Sequence, residues 1–128
     1  MGFMFEDLEV YKRSLALAER ITKLTGEFSS GSYAIADQLR RAAISVPCNI
    51  AEGNGRWHGK ERIRFFYVAR GSLHECAPLL DLAKNTGHLD VSEHSDLRAE
   101  LIEIGKMLAG LIRKEKEREK KRRAAGKE

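Results

Sequence analysis

The chain has 128 residues, of which 42% are apolar and 33% are charged, and its formal net charge at pH 7 is +4. This length predicts one domain with a core of its own. Its two cysteines, Cys48 and Cys76, are too few for the disulfide framework of a small secreted domain, which favours a reducing compartment. No basic segment opens the chain and no apolar run approaches the roughly 20 residues of a membrane span, so we expect a cytoplasmic protein with no membrane partner.

The positive charge is concentrated in two segments. Residues 113–128 carry a net charge of +5 and residues 40–70 carry another +5, whereas residues 71–112 sum to −4. Residues 1–112 as a whole are nearly neutral, at −1. We therefore expect a folded domain over residues 1–112, followed by a basic, partly disordered helical tail over residues 113–128 that buries nothing.

Apolar residues recur every three or four positions along each long segment, and no segment alternates with the period of a strand. The first helix is expected from Asp7, as N-cap, to Gly26, and the second from Ser32 to the glycine-rich stretch at 53–55. Pro47 lies inside the second helix, where it removes a backbone hydrogen bond, and we expect a bend over residues 43–46.

The third helix, predicted from Lys60 to Asn85, carries two apolar stripes instead of one. Two stripes are typical either of the most buried helix of a bundle or of a helix that also contacts another subunit. Gly71 would let a neighbouring backbone approach closely, or is a glycine that the helix merely tolerates. The candidate subunit-contact residues are Phe65, Val68, Leu79 and Leu82.

Asp90 and Glu93 resemble a capping box and predict the start of a fourth helix, whose apolar stripe ends at Ile112. Four helices of roughly 20 residues, joined by short turns, predict an all-α, up-down-up-down four-helix bundle.

Polar residues that would form an active site do not converge in this pattern. The cysteines form no Cys-x-x-Cys motif and the histidines show no zinc spacing, so we expect no metal, no cofactor and no enzymatic activity. Asn49 and Glu52 share one side of the second helix, where Glu52 is either a catalytic or ligand-binding carboxylate or part of a structural network. We favour a network that satisfies carbonyls freed by Pro47 or caps the third helix.

The segment between the second and third helices has the composition of a nucleic-acid-binding surface. Its cations flank a turn that holds Trp57, and guanidinium groups bind phosphates while an exposed tryptophan stacks on bases. The alternatives are salt bridges between subunits and ordinary solvation. The candidate nucleic-acid-binding residues are Arg40, Arg41, Arg56, Trp57, Lys60, Arg62 and Arg64, with Lys120, Lys121, Arg122 and Arg123 of the tail.

Three segments together resemble a known bacterial family: FEDLEVYKRSLALAERI (residues 5–21), QLRRAAISVPCNIAEGNGR (38–56) and ERIRFFYVARGSLHE (61–75). They are similar to the bacterial four-helix bundle family, also called the 23S ribosomal RNA intervening-sequence proteins, over roughly residues 5–112. This family includes the accessory variability determinant of diversity-generating retroelements. Several matching positions are interpreted as residues of fold or assembly, among them Pro47, Asn49, Glu52, Gly53 and Gly71.

The resemblance implies a four-helix protomer, commonly assembled as a ring-like homopentamer, with no known catalytic activity. In the retroelement branch it implies a basic ring that binds nucleic acid and a reverse transcriptase, whereas the body of this chain is nearly neutral. We expect a non-catalytic homo-oligomer that binds RNA or DNA through its basic surface and tail. The alternative is a protein-interaction scaffold, such as an accessory subunit of a reverse transcriptase, with no direct nucleic-acid role.

Overall fold

The computed structural model describes residues 2–126, most of which are helical. No strand occurs within this range, which confirms the all-α prediction, and none of its helices is both long and apolar enough to cross a bilayer. The helices are α1 (Glu9–Thr25), α2 (Tyr33–Asn54), α3 (Gly59–Asn85) and α4 (Val91–Ala124), with short 3-10 turns at Met4–Asp7 and Ser30–Ser32.

The order of contacts along the helices shows that neighbouring helices run antiparallel. Arg13 of α1 lies 2.6 Å from Glu100 of α4, and Arg20, further along α1, lies 3.9 Å from Asp96, which precedes Glu100. Short turns join the helices in sequence, and each helix packs on the next while α4 returns to α1. The predicted four-helix bundle is therefore confirmed.

The core lies along the central axis of the bundle and receives side chains from all four helices. Burying each large aliphatic or aromatic side chain contributes about 1.5–3 kcal/mol, so this apolar axis is the main source of stability. Its largest fully buried side chains include Ile21, Leu39, Val46, Ile50, Phe66, Leu73, Leu80, Leu97, Ile104 and Leu108.

The helix starts follow the predicted signals at one position and depart from them at another. Asp90 caps α4, because its Oδ1 accepts a hydrogen bond of 2.7 Å from the backbone N–H of Glu93. Asp7 was expected to cap α1, but it belongs to the 3-10 turn before the helix, and Leu8 takes the N-cap position instead. α2 continues without interruption through Pro47, and the bend near it stays a prediction.

The fourth helix does not end with its apolar stripe. α4 runs on to Ala124, and the Glu115 side chain, three residues beyond Ile112, lies in a buried position with only 3% of the residue exposed. The expectation that the tail buries nothing is therefore wrong, because a charged residue can be buried when a cation on another helix pairs with it. The last two residues of the tail lie outside the described part of the chain.

The second apolar stripe of α3 is only partly available to another subunit. Leu79 is buried in the core of its own chain, so its assignment as a subunit-contact residue is corrected. Phe65 is half-buried, while Val68 and Leu82 are exposed. At Gly71 no atom lies within 4 Å of where a side chain would begin, so one side of α3 remains open there.

Candidate nucleic-acid interface

The C-terminal part of α4 passes the turn between α2 and α3. Glu115 of α4 accepts from Arg62 of α3 at 3.0 Å, and the Glu119 carboxylate lies so close to Gly59 that a Cβ there would be 2.7 Å from it. Residues 120–124 of the helix therefore continue past the first residue of α3. We call this region the basic end and define it as the α2–α3 turn, residues 55–58, together with residues 120–124.

The basic end brings together two groups of residues that are far apart in the sequence. Trp57 is 87% exposed at the turn. The backbone beside it is held by Arg62, which donates to the carbonyl oxygens of Asn54 at 2.5 Å and Arg56 at 3.2 Å. Of the four tail cations predicted to bind nucleic acid, Arg122 is half-buried and lies 3.4 Å from Glu119, whereas the others are exposed: Lys120, Lys121 and Arg123.

Arg62 has a structural role instead of the predicted contact with phosphate. Its side chain is only 15% exposed, and its donors are directed at Glu115 and at two backbone carbonyl groups. The prediction is corrected for a physical reason: a guanidinium group held by three protein acceptors is not free to bind a phosphate in bidentate fashion. Arg118 also donates to Glu115, at 3.0 Å, so two cations share the Oε1 atom of the buried carboxylate.

Two other candidate arginines surround an aromatic ring of α3. The guanidinium carbons of Arg56 and Arg64 lie 4.8 and 4.9 Å from the ring centroid of Phe65, within the range of a cation–π interaction. Arg56 also pairs with Glu52 one helical turn earlier, which leaves its charge partly neutralised. Lys60 and Arg64 are exposed. Phe65 is therefore covered by cations, which makes it a weaker subunit contact than Val68.

The structure separates Arg40 and Arg41 from the other candidates. Arg41 lies 14 residues before the glycine that ends α2, so the helical rise places it about 20 Å from the turn. Arg40 donates to the Thr25 hydroxyl at 3.1 Å and Arg41 to Asp37 at 2.9 Å. The basic segment of residues 40–70 therefore contributes to two separate surfaces, and only its residues 55–58 belong to the basic end.

Asn49 forms part of a polar link between α2 and α3. Its Nδ2 donates to the backbone oxygen of Ser45 at 2.8 Å and to the Ser45 hydroxyl at 2.9 Å, and Ser72 of α3 donates to that same hydroxyl at 2.8 Å. Pro47 has no N–H to donate to the carbonyl four residues earlier, which is that of Ala43, whereas Asn49 donates to Ser45. The prediction that Asn49 satisfies the carbonyl freed by Pro47 is therefore wrong. The N-cap of α3 receives no side-chain hydrogen bond either.

The cysteines and histidines take part in packing and local hydrogen bonds. Burial raises the pKa of the Cys76 thiol to about 12, so this group stays protonated, and Cys48 is exposed on a different helix. His94 lies 2.6 Å from Asp81, and this hydrogen bond lowers the pKa of the Asp81 carboxyl. Among residues 2–126, no three His, Cys, Asp or Glu side chains are grouped so as to hold a metal ion.

Sequence reasoning missed the contribution of the N-terminal residues to this region. Phe3 and Met4 are 72% and 82% exposed, and together with Trp57 they line a cleft of about 900 Å³ at the basic end. The rings of Phe3 and Phe5 stack on each other with centroids 5.3 Å apart. The sequence signal that could have found them is the group of large apolar residues at positions 3–5, which lies outside any helical stripe.

Comparison with known proteins identifies the family. The sequence profile described as 23S rRNA-intervening sequence protein matches residues 6–110, which is most of the chain. The chain belongs to this family. No curated protein is significantly similar to it in sequence.

A solved structure supports the fold of this 23S rRNA-intervening sequence family member. It is the crystal structure of a protein of unknown function from the S23 ribosomal protein family of Bacteroides thetaiotaomicron. The two chains are 23% identical and superpose with a TM-score of 0.75, over 80% of this chain and 97% of that one. At this identity the similarity establishes the shared bundle fold, which leaves the function to be argued from the residues.

Proposed function

We propose that this protein is a non-catalytic, oligomeric nucleic-acid-binding protein that contacts phosphates with its basic end. The observation that carries the proposal is the course of α4: Glu119 lies against Gly59, two residues after Trp57, and the exposed cations Lys120, Lys121 and Arg123 follow it. Counterion release on neutralising phosphates supplies most of the affinity of such surfaces.

The charge contribution is tested by replacing Lys120, Lys121 and Arg123 with glutamine. These residues are exposed and lie beyond Glu119, so the variant should fold normally. When the logarithm of the binding constant is plotted against the logarithm of the salt concentration, each phosphate contact with a single strand contributes about 0.7 to the steepness of the slope. Losing three contacts should therefore reduce that steepness by about 2. Fluorescence anisotropy of labelled RNA and DNA across a salt series measures both the affinity and the slope.

A matched control removes the same charge elsewhere, by replacing Lys23, Lys84 and Lys106 with glutamine. None of these residues belongs to the basic end, so we expect this variant to bind nearly as the parent protein does. Equal loss in both variants would mean that net charge alone attracts the ligand. Absence of binding at low salt would refute the proposal and favour the protein-interaction scaffold, for which a reverse transcriptase is the first partner to test.

We further propose that the protein self-associates through the outer side of α3, as a pentamer in line with the resemblance described above. Residues 68, 71, 75, 78 and 82 follow a three-four spacing and are all exposed, and this stripe includes Val68, Gly71 and Leu82. Such a stripe on a helix that is already packed on its other side is typical of an interface with another subunit.

Light scattering coupled to size exclusion should give a mass about five times the 14.4 kDa of one chain. Replacing Val68 and Leu82 with glutamate should dissociate the assembly, because it would bury charge in the contact. Val91→Glu is the control, since Val91 is exposed at the start of α4 and away from this stripe. A parent protein that elutes with the mass of one chain at micromolar concentration would contradict self-association.

A further inference from the structure

We infer that the cleft at the basic end takes an unpaired base, so that the protein prefers single-stranded nucleic acid to duplex. This inference rests on the proposed function and adds a class of ligand to it. It concerns the cleft lined by residues of the N-terminal segment and of the α2–α3 turn, which include Phe3, Met4, Phe5 and Trp57.

The cleft combines aromatic side chains with an adjacent source of positive charge. Trp57 and Phe3 leave most of their surface exposed to solvent, which is costly unless a ligand covers it. The stacked pair of Phe3 and Phe5 holds the first ring in place before any ligand arrives. Proteins that bind single strands combine these two elements, aromatic rings that stack on bases and a cationic path that follows the backbone.

Exposed rings discriminate between single strands and duplexes for a geometric reason. A base in a duplex is stacked on both faces and presents only its edges, whereas a base in a single strand can turn its face to a ring. The cation on the cleft lining that is best placed to meet a phosphate next to a base held at Trp57 is Arg56, because Arg62, the other one, is held by Glu115 and two carbonyl groups. Lys120 and Lys121 lie beyond Glu119 on α4 and do not line the cleft. The tail alone would bind either form, and the cleft is what favours the single strand.

The polar lining of the cleft favours nucleic acid over a lipid surface. Aromatic residues beside lysines and arginines also occur in proteins that bind anionic membranes. In this cleft, however, Glu52 and Asn54 line the same space as the rings, and a carboxylate is unfavourable next to acyl chains. The Asn54 amide and the ion pair of Glu52 with Arg56 instead offer hydrogen-bonding groups for the edge of an unpaired base.

The test uses Trp57 itself as the reporter, because it is the only tryptophan in the chain. The full-length protein is titrated with a short oligothymidylate and with a duplex of the same length, while tryptophan emission and the anisotropy of the labelled nucleic acid are both recorded. We expect the single strand to quench the emission and to bind more tightly than the duplex. Trp57→Ala should weaken single-strand binding by about 5- to 150-fold, the range expected for one stacked base.

Two variants control for indirect effects. Trp57→Phe keeps an aromatic face and should retain most of the affinity, and Phe3→Ala should weaken single-strand binding in the same direction as Trp57→Ala. None of these changes should alter duplex affinity or the salt dependence, because they remove no charge. Trp57 is exposed, so its replacement should leave the melting temperature unchanged.

The outcomes separate this inference from the proposal on which it rests. The inference about the cleft would be overturned if single strand and duplex bound equally, tryptophan emission did not change and Trp57→Ala had no effect. If that binding still depended on salt, the proposal of charge-driven binding would stand. No binding of either form would refute both. A blue shift of the emission with phosphatidylserine-containing vesicles, without a response to the oligonucleotide, would show that the rings serve a membrane surface and would also overturn the inference.

Discussion

Replacing Glu115 with alanine is expected to lower the free energy of unfolding by about 3 kcal/mol. The change removes the carboxylate from a buried ion pair and leaves the Arg62 guanidinium without its counter-charge, which costs about 3–5 kcal/mol in buried pairs. We place the loss at the lower end of that range because Arg62 remains 15% exposed and keeps two carbonyl acceptors. Urea denaturation followed by circular dichroism measures it.

A double variant distinguishes the cost of an unpaired charge from the loss of contacts. Replacing Arg62 with methionine and Glu115 with leucine together removes both charges while keeping similar volumes, so it should be markedly more stable than Glu115→Ala alone. Truncation after Ile112, which removes Glu115 with the tail, should destabilise the bundle as well. Truncation after Glu119 should not. If Glu115→Ala unfolds within about 0.5 kcal/mol of the parent protein, in the range of ordinary surface substitutions, the buried pair does not hold α4 to α3.

Phe66→Ala is expected to cost about 3–5 kcal/mol, the usual loss for a fully buried phenylalanine. The Phe66 ring fills the space left by the missing side chain of Gly53 on α2, where a Cβ would lie 2.7 Å from the ring. The substitution therefore leaves a cavity at the closest approach of α2 and α3. Thermal and urea unfolding both measure the loss.

Gly53 supplies a second variant, whose effect on stability should depend on whether the Phe66 ring is present. Gly53→Ala alone should cost about 1–3 kcal/mol, because the new methyl group collides with the ring and with the Arg62 carbonyl oxygen 3.0 Å away. In the Phe66→Ala background the collision with the ring is gone and alanine gains about 1 kcal/mol of helix propensity over glycine, although the methyl group still lies close to the Arg62 carbonyl oxygen. The same substitution should then cost clearly less than it does alone. Additive losses would contradict the complementary packing of these two residues.

The sequence predicted most of the helices because local signals mark them. α3 was expected from Lys60 to Asn85 and runs from Gly59 to Asn85, since its apolar residues repeat at helical spacing. The residues between helices were predicted as turns for the same reason: glycines mark the end of α2, and Asp90 marks the start of α4. Assigning which stripe of α3 faces outward was harder, and Leu79 was misplaced because a central helix buries more than one stripe.

The site was predicted less well because its key contacts join distant residues. Arg62 and Glu115 are 53 positions apart, and hydrophobic periodicity treats both as surface residues. Their pairing depends on the register between α3 and α4, which no local pattern reveals. The exposed cations of the tail and Trp57 were named from composition, but only the fold places them at one end of the bundle. The position of Phe3 at the cleft could not be predicted, because it depends on where the N-terminal turn folds back.

The continuous course of α4 limits where the chain can gain or lose residues. One residue inserted between Leu108 and Glu115 would rotate everything after it by about 100°, turning the carboxylate away from Arg62 while the core residues before it stayed in place. After Glu119 the helix has no such partner to keep in register. Changes in chain length should therefore be tolerated in this last segment, so the reach of its cations can be altered without rebuilding the bundle.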